Sequence, residues 1–165
     1  MWKRIVLLAA VAFSLVLFWP AECLTAKCGG KLLFAWPIRT GETFEISFLH
    51  SLNLSPVTDV IEWTGDSLVV RKSVFRTFGA GIPIPPDGIG TELISTDGRY
   101  ELVGIDREMK SIPIMTQDVP NHRIALGGRE ACLPELAGLG KSVDISVGRV
   151  TLVARLALTG YRKML

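Results

Sequence analysis

From Thr43 onward the chain alternates between apolar and polar positions. Phe44, Ile46, Phe48 and His50 share one parity, and Glu45, Ser47, Leu49 and Ser51 share the other. Successive strand side chains point to opposite faces, so this stretch predicts a strand with one buried side. Val57, Asp59, Ile61 and Trp63 repeat the pattern after a loop at residues 53–56. Ser67 to Phe78 is rich in β-branched and aromatic residues and predicts a longer strand. Asp97-Gly98 and Gly127-Gly128 each divide two short runs, as tight hairpin turns do. Lys31 to Ile38 is strand-like, with Pro37 placing it at an edge or a strand end. Ile112 to Met115, Val143 to Val147 and Val150 to Leu158 complete the set, the last two divided by a turn at Gly148-Arg149. Pro134 to Gly140 holds one helical turn. Turn signals recur every 8–12 residues or so, the spacing of a sandwich or barrel. The predicted fold is all-β: a single antiparallel β-sandwich or partly open barrel, preceded by an N-terminal hydrophobic export or anchor helix.

Two stretches break the pattern. Lys3-Arg4 precedes an apolar run from Ile5 to Trp19 interrupted only by Ser14, which reads as a secretory signal. The run is short for a membrane span of about 20 residues. Leu24-Thr25-Ala26 offers an imperfect cleavage site. Residues 1–26 are therefore expected to be a signal peptide or an N-terminal membrane anchor, and residues 27–165 an extracytoplasmic β domain, either secreted or held at the cytoplasmic membrane by residues 5–19. Gly29-Gly30 reads as a loose start to that domain. The second break is the glycine- and proline-rich run from Gly79 to Gly90, a loop long enough to be functional.

Composition narrows the classes. The 165 residues are 48% hydrophobic and 21% charged, which excludes a disordered chain. A net charge of +2, from scattered basic residues, excludes nucleic-acid binding. Cleavage after Ala26 discards Cys23 and leaves Cys28 and Cys132, which then either bridge in an oxidising compartment or remain thiols.

The candidate chemistry lies between residues 50 and 81. His50 and Asp59 both fall on inward parities of strands expected to pair, so they are expected to lie close together beneath Gly79-Ala80-Gly81. Buried polar groups need partners. The pair is either a structural contact that fixes the register or the polar floor of a binding cleft. Glycine N–H groups at residues 79 and 81 suit an anion nest, or simply a sharp strand exit. A Ser51, His50, Asp59 hydrolase is disfavoured, because neighbouring strand residues point apart and no G-x-S-x-G motif is present. Two histidines without ligand spacing give no metal site, and nothing calls for a cofactor.

The order of these motifs resembles a known family. Phe48-Leu49-His50-Ser51, then Ser55-Pro56-Val57-Thr58-Asp59, then Phe75-Arg76-Thr77-Phe78-Gly79-Ala80-Gly81-Ile82-Pro83 look like domain-of-unknown-function family eighteen-fifty. Its acidic position is commonly glutamate and is Asp59 here, one methylene shorter. The resemblance implies a small exported or anchored domain encoded beside TAXI-type TRAP transporters, which take up organic acids. The leading expectation is thus a non-enzymatic, membrane-proximal accessory protein. It would contact the transporter's permease or solute receptor, or bind a small anionic solute through His50, Ser51, Asp59, Arg76 and Gly79–Gly81. A structural or assembly module without a ligand is the alternative, and a hydrolase the third.

Overall fold

A computed structural model describes residues 2–77 and 92–162. Helix α1 (Trp2–Phe18) leads through Trp19 directly into strand β1 (Pro20–Cys28). Among the described residues no helix is long and apolar enough to cross a membrane. Strands β2 (Lys31–Pro37), β3 (Thr43–Leu49), β4 (Pro56–Trp63) and β5 (Leu68–Phe75) follow. Then come β6 (Glu92–Thr96), β7 (Arg99–Met109), β8 (Ser111–Met115), β9 (Arg123–Leu126) and β10 (Arg129–Cys132). Helix α2 (Leu133–Ala137), strand β11 (Ser142–Thr151) and helix α3 (Leu152–Arg162) close the chain.

Among the described residues the strands form two open antiparallel sheets and no closed barrel. One has the order β2-β1-β11-β8 and the other β10-β9-β3-β4-β5-β7-β6. The core fills the space between them. Leu24, Ala26, Phe34, Val143 and Ile145 from the smaller sheet meet Phe44, Ile46, Ile61, Leu68 and Ile124 from the larger. The predicted alternation in β3 is present, with Phe44 and Ile46 buried and Glu45 exposed. A second cluster of Val57, Phe75 and Leu102 caps the far end of the larger sheet.

Strand β1 was not predicted. It is an inner strand, paired with β11 from Pro20↔Thr151 to Cys28↔Val143 and with β2 on its other side. The boundary expected after Ala26 therefore falls inside a buried strand. Glu22, within the expected signal, accepts a hydrogen bond from the Trp63 indole N–H at 3.2 Å, and Thr25 donates to the Ser146 carbonyl at 2.9 Å. Gly29-Gly30 is a tight hairpin turn rather than a loose start. Its φ values of 54° and 80° are both left-handed, as a two-residue turn of the right twist requires, and only glycine adopts them freely at both positions.

The C-terminal end also differs from expectation. The predicted turn at Gly148-Arg149 stays in strand, because both residues remain paired with β1. The predicted last strand, Val150 to Leu158, is mostly helix α3. Its Ala154 and Leu158, four residues apart, pack on Cys23, Ala35 and Val150. A short apolar run satisfies periods of both 2 and 3.6, and here burial of the outer face of β1 and β2 selects the helix. Cys28 and Cys132 do not bridge, since Cys23, Cys28 and Cys132 are all free. Cys28 ends an inner strand of one sheet, while Cys132 ends an edge strand of the other and donates its thiol to Asn121 Oδ1 at 3.0 Å.

Candidate functional site

The register of β3, β4 and β5 decides where the candidate residues go. Ile46 lies opposite Asp59, and Asp59 opposite Ser73. Directly opposed residues share a face, so Asp59 points into the sandwich between Val57 and Ile61, as its parity predicts. His50 lies beyond the end of β3, where its N–H donates to Ser55 O at 2.9 Å. The rungs of His50 and Asp59 are four residues apart, roughly 13 Å at about 3.4 Å per residue. The expected contact between them does not form.

His50 instead organises the turn after β3. Its carbonyl accepts from Leu54 N–H at 2.9 Å, and the Leu52 N–H approaches its Nδ1 at 3.4 Å. Asn53 Oδ1 accepts from both the backbone N–H and the hydroxyl of Ser55. Ser51 is exposed in this turn. Arg76 follows the end of β5 on the outer side. It lines an open hollow of about 480 Å3 with Thr96, Asp97, Gly98, Arg99 and Glu101. Because Leu49 pairs with Pro56 and Val57 with Phe75, His50 and Arg76 lie at the same end of the larger sheet, on either side of the start of β4. Gly79, Ala80 and Gly81 lie outside the described residues.

The histidine that shares a cavity with Asp59 is His122. A space of about 170 Å3 opens between the sheets at this level. Ile46 and Phe48 from β3, Ile61 from β4, Val70 from β5 and Met109 from β7 line it on the larger sheet's side, and Ile112 and Ile114 from β8 on the smaller sheet's side. Asp59 and His122 are the polar members of the lining. The His122 ring lies against Phe48, with ring centres 5.2 Å apart. Its Nδ1 is buried without a hydrogen-bond partner among the described residues. The backbone holds the residue in place through Leu133 N–H, which donates to His122 O at 2.9 Å.

Both groups are driven toward their neutral forms. Burial pushes the Asp59 carboxyl above the ordinary carboxylate range, while a side-chain hydrogen bond with Ser73 acts in the opposite direction. Burial pulls the His122 imidazole below its ordinary value. Neither shift arises from the other group: burial disfavours the charged form of each separately. Among the described residues no cluster of histidine, cysteine and acidic side chains suits a metal ion.

The Asp59 shift has a measurable consequence. The folded state holds this proton more tightly than the unfolded chain does, so its stabilisation is full below the unfolded carboxyl value of about 3.9 and is lost as pH rises through the folded value. Asp59→Asn keeps a polar group facing Ser73 and removes that titration. Its thermal midpoint is expected to exceed that of the wild type at pH 7, and the gap to close as pH falls below about 4. A constant gap across that range excludes the burial argument.

The sequence carries one signal for His122, its parity. His122, Ile124 and Leu126 alternate, and Ile124 pairs with the inward Ile46, which puts His122 on the buried stripe.

The arrangement defines a class: a two-sheet antiparallel β domain enclosing a small apolar cavity with one carboxyl and one imidazole. The family model for the domain of unknown function DUF1850 matches residues 44–133, and the chain belongs to that family. No curated protein and no solved structure matches it.

Proposed function

We propose that the chain is a non-enzymatic, extracytoplasmic binding module held at the membrane by α1, acting as an accessory of a TRAP-type (TAXI) solute uptake system. The cavity containing Asp59 and His122 carries the reading. A mostly apolar space with a few convergent polar groups is the usual form of a small-molecule site. Burial disfavours the charged form of both its polar groups, and Ser51, the nucleophile a hydrolase would need, sits at the far turn. The cavity is small for an organic acid, and it offers an anion no cation. Arg76 and Arg99, at the end of the same sheet, are the groups that would meet a small anionic solute or an acidic face of a permease or solute receptor. The transporter association comes from the family resemblance. Export and membrane attachment are supported by the basic start of α1, its apolar run and its unbroken passage into β1.

Crosslinking of the full chain in its native membrane, followed by mass spectrometry, tests the partner. The expected product joins the chain to a TRAP permease or solute receptor; efficient crosslinking to unrelated proteins alone rejects it. Arg76→Gln tests the cationic end of the larger sheet. Organic-acid uptake is expected to fall while the thermal midpoint is retained. Full uptake with the folded variant favours the structural or assembly alternative, in which Asp59 and His122 only shape the interior.

A further inference from the structure

Strands β2 and β10 are edges of the two sheets, and residues of both, together with α3, line a common groove of about 490 Å3. Leu33 and Trp36 on β2, with Leu152 and Leu156 on α3, give it apolar walls. Arg129 from β10 and Arg155 from α3 stand at its rim. The acidic residue there, Glu130, is already engaged, since Arg123 Nη1 meets its Oε1 at 2.7 Å. The rim is therefore positive. Arg155 hydrogen-bonds the Cys23 thiol, which lies in the cluster that α3 covers, and the charge of Arg129 acts on it as well. Both draw its pKa down against the larger upward effect of burial.

Helix α3 also touches α1. On α1 the side chains of Trp2, Ile5, Leu7 and Leu8 are all more than 60% exposed, and Leu156 on α3 is 56% exposed. Exposed apolar side chains at this density mark an interaction surface rather than ordinary solvent exposure. A bilayer suits them, because Lys3 and Arg4 stand at the end of α1 where anionic headgroups attract basic residues.

We propose that the groove between β2, β10 and α3 binds one anionic phospholipid, with an acyl chain along the leucine and tryptophan walls and the phosphate at Arg129 and Arg155. Arginine's planar donor fork suits phosphate oxygens, and a lipid supplies both the tail and the charge. The inference relies on the membrane-held arrangement above for the source of the ligand, not for the chemistry of the groove.

The test uses the full chain in neutral detergent. Native mass spectrometry reads retention of dihexanoyl phosphatidylglycerol, with dihexanoyl phosphatidylcholine and inorganic phosphate as comparisons. One phosphatidylglycerol per chain is expected, held about tenfold more tightly than phosphatidylcholine, as a charge-assisted contact gives. Arg129→Gln is expected to weaken it by a similar, roughly tenfold factor with an unchanged thermal midpoint. Arg155→Gln should do the same, but Arg155 also contacts Cys23, so Arg129→Gln is the deciding variant. Equal retention of the two lipids, equally tight binding of phosphate alone, no response to Arg129→Gln, or a co-purifying peptide in place of lipid each overturns the proposal. Vesicle flotation of the full chain reads membrane attachment separately. A chain that binds phosphatidylglycerol but does not float keeps the groove and loses the anchor.

Discussion

A chain lacking residues 1–26 is expected not to fold, whereas one lacking residues 1–19 is expected to keep the β domain. The difference is β1. Its Cys23, Leu24 and Ala26 are completely buried and Thr25 nearly so. Burying one large aliphatic side chain is worth about 1.5–3 kcal/mol. Removal also strips the ladder partners from one side of β11 and one side of β2, which leaves β2 without a sheet. Against a total stability of about 5–15 kcal/mol, loss of an inner strand is decisive. Far-ultraviolet circular dichroism and a cooperative thermal transition distinguish the two chains. A folded 27–165 fragment would show that β1 is dispensable. If the N-terminal segment is processed at all, the same argument places the cut before Pro20, and the intact mass of the mature protein tests that directly.

Phe44→Ala is expected to cost about 3–5 kcal/mol, the usual range for truncating a buried aromatic. Phe44 is 1% exposed and packs in the main core from β3. Its neighbour Glu45 is exposed, so Glu45→Ala should stay within about 0.5 kcal/mol. Urea unfolding of the two variants compares the faces of a single strand. Similar small effects at both positions would contradict the inward orientation on which the Asp59 cavity depends.

Most strands were legible because one face of each is buried and the other is wet. That condition holds for β3 and β4, where period-2 alternation identified both the strands and the inward direction of Asp59. It fails for β1. Pro20–Cys28 follows an apolar run without a break, and its own apolar content merged with that run. The tight turn at Gly29-Gly30 was the missed evidence, because a two-glycine turn joins strands on both sides. The helix α3 was missed because Leu152, Ala154, Leu156 and Leu158 fit a strand as well as they fit a helix.

The candidate site was half legible for a similar reason. Parity gives the face on which a side chain lies, but not which rung it occupies beside its neighbours. His50 and Asp59 were both assigned to the inner face and assumed to be level. Rung by rung, β3 and β4 set Asp59 against Ile46 and leave His50 in the turn. The imidazole that reaches the cavity comes from residue 122, whose approach depends on β9 pairing with β3. Pairing between strands so distant in sequence is not encoded in local periodicity.

The pairing of β1 with β11 also governs when the domain can form. Thr25 and Ser146 bond across a separation of 121 residues. Such a loop closes slowly, and its entropic cost falls due before the contact rewards it. As the polypeptide emerges from N- to C-terminus, β1 can pair with β2 across the Gly29-Gly30 turn, but its other side stays unpaired until nearly the whole chain has appeared. Completion of the smaller sheet is thus expected to be one of the last steps of folding.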